Sequence, residues 1–377
     1  MLARRARAVL ALAAAVALSL VAMPSAQSVL LLPSDPARQC AWSVVYPGDA
    51  NYAWPDTHAA YINQAVVLGP KEKVVITGRD PKARYWSITT YNLEDREVID
   101  VVNDVTVKRK GSGANSTWTV TISPRGNAKD PNWVKSADPY AYGTPLEFRK
   151  VTVIMYRVYL SETATYSGGA LPTITVFHDD GVKKASERLK PCTPSQIGPP
   201  DQPLGLEKAA DTPSEYFIRA AGGRFYPSYD TAYLAAEVPY DPDSILLVSG
   251  RAPTAGKGKR TDVRYWSLCQ NVNEPPLPVV DCVSDKDVKL TKGRYAIAVV
   301  GPGQVPDRSE FPGVTFLEWT ESAGDPPPAF LILRHILPNP KFANAVDKVK
   351  LGEPATSSMG EYAPVMEHVS LEELVSR

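Results

Sequence analysis

The chain has 377 residues, 44 % of them apolar, with 41 basic and 41 acidic side chains, enough for about two domains with buried cores. A formal charge of zero and a pI near 6.9 leave no global positive field for phosphate backbones, which argues against a general nucleic-acid binder. Thirty-five prolines, 18 tyrosines and 7 tryptophans favour short strands and kinked loops over long helices.

Residues 1–28 read as a signal peptide: Arg4, Arg5 and Arg7 precede an apolar run from Ala8 to Met23 that ends in small residues. The run is shorter than the roughly 20 residues a bilayer span needs, so no stable transmembrane segment is expected after cleavage. Export to the periplasm, cell envelope or medium permits disulfides, and four cysteines allow three connectivities. Cys269 and Cys282 flank a turn-rich stretch, whereas Cys40 and Cys192 bracket the first half, so 40 with 192 and 269 with 282 is the expected pairing.

Two segments then repeat. Residues 40–190 form a first expected β-sandwich unit and 214–338 a second, with a Pro-rich linker over 191–213 and a tail over 339–377. Gly78-Arg79-Asp80-Pro81, Arg84-Tyr85-Trp86-Ser87 and Val98 to Asp104 are answered by Gly250-Arg251-Ala252-Pro253, Arg264-Tyr265-Trp266-Ser267 and Val279 to Asp285, with a longer loop at Thr254 to Asp262. Tyr52 and Asp56 upstream align by their mutual spacing with Tyr226 and Asp230. Short runs rich in Val, Ile, Thr and Tyr between Gly, Pro and Asn clusters predict an all-β protein. Its architecture is two tandem jelly-roll or sandwich-like units with short peripheral helices and a C-terminal helical tail.

The motif order Tyr85-Trp86-Ser87-Ile88-Thr89-Thr90-Tyr91, then Asn132-Trp133, then Arg157-Val158-Tyr159 resembles the bacterial exported domain-of-unknown-function family number twelve-fourteen. The second copy keeps Tyr265-Trp266-Ser267, Trp319 and Arg334. The resemblance implies a jelly-roll-like β fold and export, and no activity.

A Cys269–Cys282 bond across an antiparallel hairpin fixes its register: Leu268 opposes Val283, Trp266 opposes Asp285 and Arg264 opposes Asp287. The repeat carries this to Ile88 opposite Val102 and Trp86 opposite Asp104. Arg84, Trp86, Asp100 and Asp104, and likewise Arg264, Trp266, Asp281 and Asp285, should then share one face. Such a set reads either as a charge network beside a core tryptophan or as a binding surface, with indole stacking and charged groups bonding hydroxyls.

Nothing matches G-x-S-x-G, H-E-x-x-H, a phosphate-binding loop or a dinucleotide fingerprint, and Gly256-Lys257-Gly258 reads as a turn. A glycan hydrolase or lyase would need only a carboxyl pair, for which Asp56, Asp230, Glu318, Glu237 and Glu147 are the candidates. No cofactor is expected: the cysteine spacings do not suit zinc, and calcium on Asp281, Asp285 and Asp287 would lack the EF-hand spacing. These readings converge on an exported protein binding an envelope glycan or small polar ligand, with a secreted glycan-cleaving enzyme or a structural protein-interaction module as the alternatives.

Overall fold

Along Ala59–Val66 the even positions Ala60, Ile62, Gln64 and Val66 are buried while the odd ones from Tyr61 are half-exposed, the two-residue period of a strand with one face on a core. Thr117–Ser123 alternates in the same way, burying Trp118, Val120 and Ile122. In a computed structural model, residues 40–42, 44–46, 51–139, 150–179, 181–193, 207–209, 212–213, 215–220, 226–301, 303–305, 307–320 and 326–375 are described. The expected leader, most of the linker and Glu147 lie outside them.

Each unit is a sandwich of two sheets, and both units repeat one strand order. In the first, the inner sheet runs Val44–Tyr46, Ala59–Val66, Thr152–Ser161, Ala83–Asn92, Val98–Asn103. In the second it runs Ile218–Ala220, Thr231–Val238, Ala329–Ile336, Tyr265–Asn271, Val279–Ser284. The outer sheets are built on Lys73–Gly78 paired with Thr117–Ser123, and on Ile245–Arg251 paired with Arg294–Val300. Trp133–Lys135 and Thr315–Glu318 join them as parallel strands. The all-β sandwich reading therefore holds.

The hairpin registers also hold: Ile88 opposes Val102, Leu268 opposes Val283 and Cys269 opposes Cys282. The disulfides pair 40 with 192 and 269 with 282. Between the two sheets of the first unit, Trp86 stacks on Trp118 at 4.7 Å, and in the second Trp266 tilts against Tyr295 at 5.4 Å. Gly78 and Gly250 make these contacts possible, since a Cβ would lie 2.6 Å from the Trp118 ring and 2.7 Å from the Tyr295 hydroxyl.

Two expectations change. The residues after Pro338 are no separate tail: Phe342, Ala345, Val346, Val349, Ala355, Met359 and Ala363 sit in the second core, and Val365–Val369 pairs with Ile245–Arg251. Among the described residues there, only Leu371–Val375 is α-helical. Second, Trp86 and Trp266 are 2 % and 1 % exposed, so neither indole offers a face to a ligand.

Thr152–Ser161 is buried through its first eight residues, while Tyr265–Asn271 and Ala329–Ile336 are buried throughout, without the alternation of a half-solvated sheet. Burial on both faces needs a cover on each. One is the unit's own outer sheet; the other is the opposite unit, because the two inner sheets meet back to back. Tyr85, Tyr159 and Ala59 of the first unit share a buried cluster with Tyr265 and Ile336 of the second, and the Tyr159 and Tyr265 rings lie 5.2 Å apart.

Candidate functional site

The seam between the units gathers most of the residues that the sequence singles out. It is built by an exchange of arms. The segment leading into Ala59–Val66 carries Ala53 and Trp54 in left-handed backbone, at φ 60° and 50°, which turns Trp54 out of its own unit. The Trp54 ring packs on Phe330 at 4.6 Å, and its backbone N–H donates to the Leu277 carbonyl of the second unit. Tyr226, at φ 54°, does the reciprocal thing, packing edge-on against Tyr91 of the first unit at 5.3 Å.

A buried arginine grips each arm. Arg334 donates to the Trp54 carbonyl at 2.6 Å and to Cys269 Sγ; Arg157 donates to the Tyr226 carbonyl at 2.7 Å and to Thr89 Oγ1 at 3.1 Å. Both guanidinium side chains belong to residues at most 4 % exposed, so each needs a partner for its charge. The charge of Asp56 acts on Arg334 and that of Asp230 on Arg157. Asp56 accepts from Tyr265 Oη at 2.9 Å and Ser267 Oγ at 2.7 Å, and Asp230 accepts from Tyr85 Oη at 2.5 Å and Asn103 Nδ2 at 3.0 Å. Every one of these four bonds crosses from one unit to the other.

The two aspartates are nevertheless not equivalent, which corrects the sequence alignment. Ala59 N–H donates to the Asp56 carbonyl and Thr231 N–H to that of Ser228; Leu160 N–H donates to His58 and Leu337 N–H to Asp230. Asp56 thus corresponds to Ser228, and Asp230 to His58. Trp54-Pro55 then matches Tyr226-Pro227, each 24 residues before Gly78 or Gly250, with no gap. Matching Tyr52 to Tyr226 puts the units two residues out of step, because that spacing follows the aspartates rather than the proline.

This asymmetry sets the electrostatics. Burial pushes Asp56 upward, but the hydrogen bond from His58, the charges of Arg334 and His58 and the Ser267 hydroxyl outweigh it and hold the carboxyl at about 2. Asp230 is shifted upward: burial dominates over the bonds from Tyr85 and Asn103 and the charge of Arg157. His58 Nε2 lies 2.7 Å from Asp287 Oδ2 and its Nδ1 lies 3.5 Å from Asp56 Oδ1. Burial lowers the His58 pKa, yet Asp56, Asp287 and Asp281 raise it further than burial takes it down.

The charge clusters expected within each hairpin do not form; their arginines pair across the units instead. Arg84 does not turn to Asp100 or Asp104 of its own hairpin; its Nη1 meets Asp285 Oδ2 of the other unit at 2.8 Å. Arg264 meets Asp104 at 3.3 Å in return. Arg84 is the second residue of its strand and Arg264 immediately precedes the equivalent strand of the second unit. Burial raises Asp104 to about 6 despite Arg264, Lys257 and Arg109 nearby, and it raises Asp285 despite Arg84. Asp100 and Asp281 lie apart from these pairs. Asp100 accepts from the Val101 and Lys135 amides, tying the hairpin to Trp133–Lys135, and Asp281 accepts from the Cys282 amide.

No family model matches the chain, and no curated protein matches it. Among solved structures, an uncharacterized protein from Burkholderia cenocepacia is similar, with a TM-score of 0.53 at 13 % identity over 87 % of this chain and 82 % of that one. The VPA0106 protein from Vibrio parahaemolyticus gives a TM-score of 0.41 at 12 % identity over 86 % and 92 %. The first likeness shows the fold alone.

Asp56, Cys269 and Cys282 bring ligand atoms within 4.8 Å of one another, but both sulfurs are spent in one disulfide and cannot act as thiolates. The three aspartates weighed for calcium point to separate partners: Asp281 to the Cys282 amide, Asp285 to Arg84, Asp287 to His58 and Ser284. Glu318 sits at an exposed edge against Arg308, and Glu237 lies near Lys208. Sequence reasoning missed Trp54, Tyr226 and His58 as parts of the seam. The recurring aromatic-proline pair was the signal that would have found the arms.

Proposed function

We propose that this protein is an exported, non-catalytic two-unit β-sandwich protein that binds a carbohydrate or another cell-envelope component. One observation carries the reading: the acids that a hydrolase would need, Asp56 and Asp230, are spent in bonds to the opposite unit, each residue at most 9 % exposed. A carboxyl that is buried against the opposite unit and already holds its donors there has no open path to a water nucleophile. The seam works as a clasp that fixes two sandwiches in one geometry, and the two disulfides suit an oxidising compartment. Among the described residues no helix is long and apolar enough to cross a membrane. Membership of the domain-of-unknown-function family is proposed on the Tyr85 to Tyr91, Asn132-Trp133 and Arg157 to Tyr159 motifs.

The test is to incubate residues 29–377 with fractionated cell-envelope material and follow pelleted protein and soluble products by mass spectrometry. Retention without new fragments is the expected result. Release of fragments would overturn it in favour of a glycan-cleaving enzyme, and His58→Ala and Asp287→Asn at the accessible side of the seam would then be assayed for lost turnover.

A further inference from the structure

Arg84 follows Gly78 by six positions, whereas Arg264 follows Gly250 by fourteen, so the second unit carries an eight-residue insertion that the first folds without. The inserted stretch, Thr254-Ala255-Gly256-Lys257-Gly258-Lys259-Arg260-Thr261, holds three cations and no acid in a chain that is otherwise balanced. Lys257, Gly258, Lys259 and Arg260 are all exposed.

A loop present only for length would be free to move, and this one is pinned. Asp262 Oδ2 accepts from Thr254 N at 2.9 Å and from Thr254 Oγ1 at 2.7 Å, closing the base, and Ala255 bridges to Val263. Thr261 Oγ1 donates to the Gly256 and Gly258 carbonyls at 3.1 and 2.6 Å, and Gly256 takes a φ of 147° that a side chain would resist. From outside the loop, Asn339 Nδ2 donates to the Lys259 and Thr261 carbonyls at 3.2 and 3.1 Å, while its Oδ1 accepts from the amide of the exposed Lys341. The backbone of the cationic tip is therefore ordered before anything binds, which removes much of the entropic cost of binding there.

We infer that the insertion over residues 254–261 is a docking surface for an anionic polysaccharide, with Lys259 and Arg260 as its principal contacts and Lys257 beside the seam. This rests on the envelope-binding reading and names its surface and ligand class. Lysine and arginine at a rigid tip match repeated carboxylate or sulfate groups along a flexible chain, each pair adding modestly and in a salt-dependent way. None of the exposed large hydrophobic residues falls within the insertion, so it offers no apolar anchor for a lipid surface. The two disulfides point to an oxidising compartment, where a nucleic-acid partner is not expected.

The experiment titrates residues 29–377 with polygalacturonate and dextran sulfate, using neutral dextran and phosphatidylglycerol vesicles as comparisons. Binding to at least one anionic glycan is expected, weakening roughly 20- to 40-fold between 50 and 200 mM salt for three contacts of the kind made to a phosphate backbone. Lys257→Gln with Lys259→Gln and Arg260→Gln should lose at least tenfold in affinity. Lys129→Gln with Arg188→Gln and Lys190→Gln, which removes the same charge from exposed positions of the first unit, should lose less than twofold. Equal loss in both triple variants, no binding to either anionic glycan, or binding to vesicles alone each overturns the inference. Envelope retention that survives the insertion variant overturns this surface and leaves the broader reading standing; glycan binding without any envelope retention does the opposite.

Discussion

Asp56→Asn tests whether the seam is held by charge. The substitution keeps the shape of the side chain and removes its negative charge, leaving Arg334, 4 % exposed, with bonds to the Trp54 carbonyl and Cys269 Sγ but no anion. A native pKa of about 2 against 3.8 in the unfolded chain corresponds to about 2 kcal/mol of stability tied to ionisation of Asp56. Stranding a buried guanidinium adds to this, so a total loss of about 3 to 4 kcal/mol is expected at pH 7. Because the folded value lies below the unfolded one, the contribution is fully present above pH 4 and fades as pH falls towards 2. Asp230→Asn should behave differently: its folded pKa is raised, so its charge is already costly to bury at pH 7, and the Asn carbonyl can keep the Asn103 donor while its amide donates to Tyr85 Oη. A loss of about 1 kcal/mol or less is expected there. Urea unfolding followed by far-UV circular dichroism, at pH 7 and at pH 3, measures both. If Asp230→Asn costs as much as Asp56→Asn, or if Asp56→Asn keeps the wild-type loss of stability below pH 4, the assignment of charge across the seam is wrong.

Other consequences follow from the cores and cross-links. His335 is buried and neutral, its pKa lowered to about 3 by burial and by Arg219. Since the unfolded chain protonates it near 6.5, stability should fall by roughly 2 kcal/mol between pH 6 and 4, and His335→Phe should remove that slope in paired denaturation curves. Gly78→Ala drives a methyl into the Trp118 ring and should cost about 2 kcal/mol or more, visible as a lowered Tm; an unchanged Tm would contradict the close approach. Trp86→Ala should cost about 3 to 5 kcal/mol by emptying the stacked core, measured by the same unfolding assay. Removing the 40 to 192 disulfide, whose sequence separation is 152, should destabilise more than removing the 269 to 282 bond with its separation of 13. Chain entropy sets these at about 5 and about 3 kcal/mol, and equal losses in Cys→Ser pairs would count against that account.

Much of this architecture is legible in the sequence. Alternating β-rich runs, turn residues and paired Arg-Tyr-Trp-Ser segments are local signals, and a hairpin closed by two cysteines dictates which residues oppose each other. What the linear order could not reveal is which partner each charge would choose. Arg84 and Asp104 belong to one hairpin, yet each pairs with the other unit, because two sheets packed back to back bring strand ends from different units closer than hairpin neighbours. The uncharged run Tyr265–Asn271 is the trace of that packing in the sequence, and the structure buries it throughout, since a strand neutral on both faces must be covered on both. Asp56 and Asp230 have the same chemistry and similar surroundings in sequence, but only the fold decides that one sits where a serine stands in the repeat and the other where a histidine does. A carboxyl's pKa depends on donors and charges within a few ångströms, and those neighbours come from strands some 200 residues away, as Tyr265 and Ser267 do for Asp56.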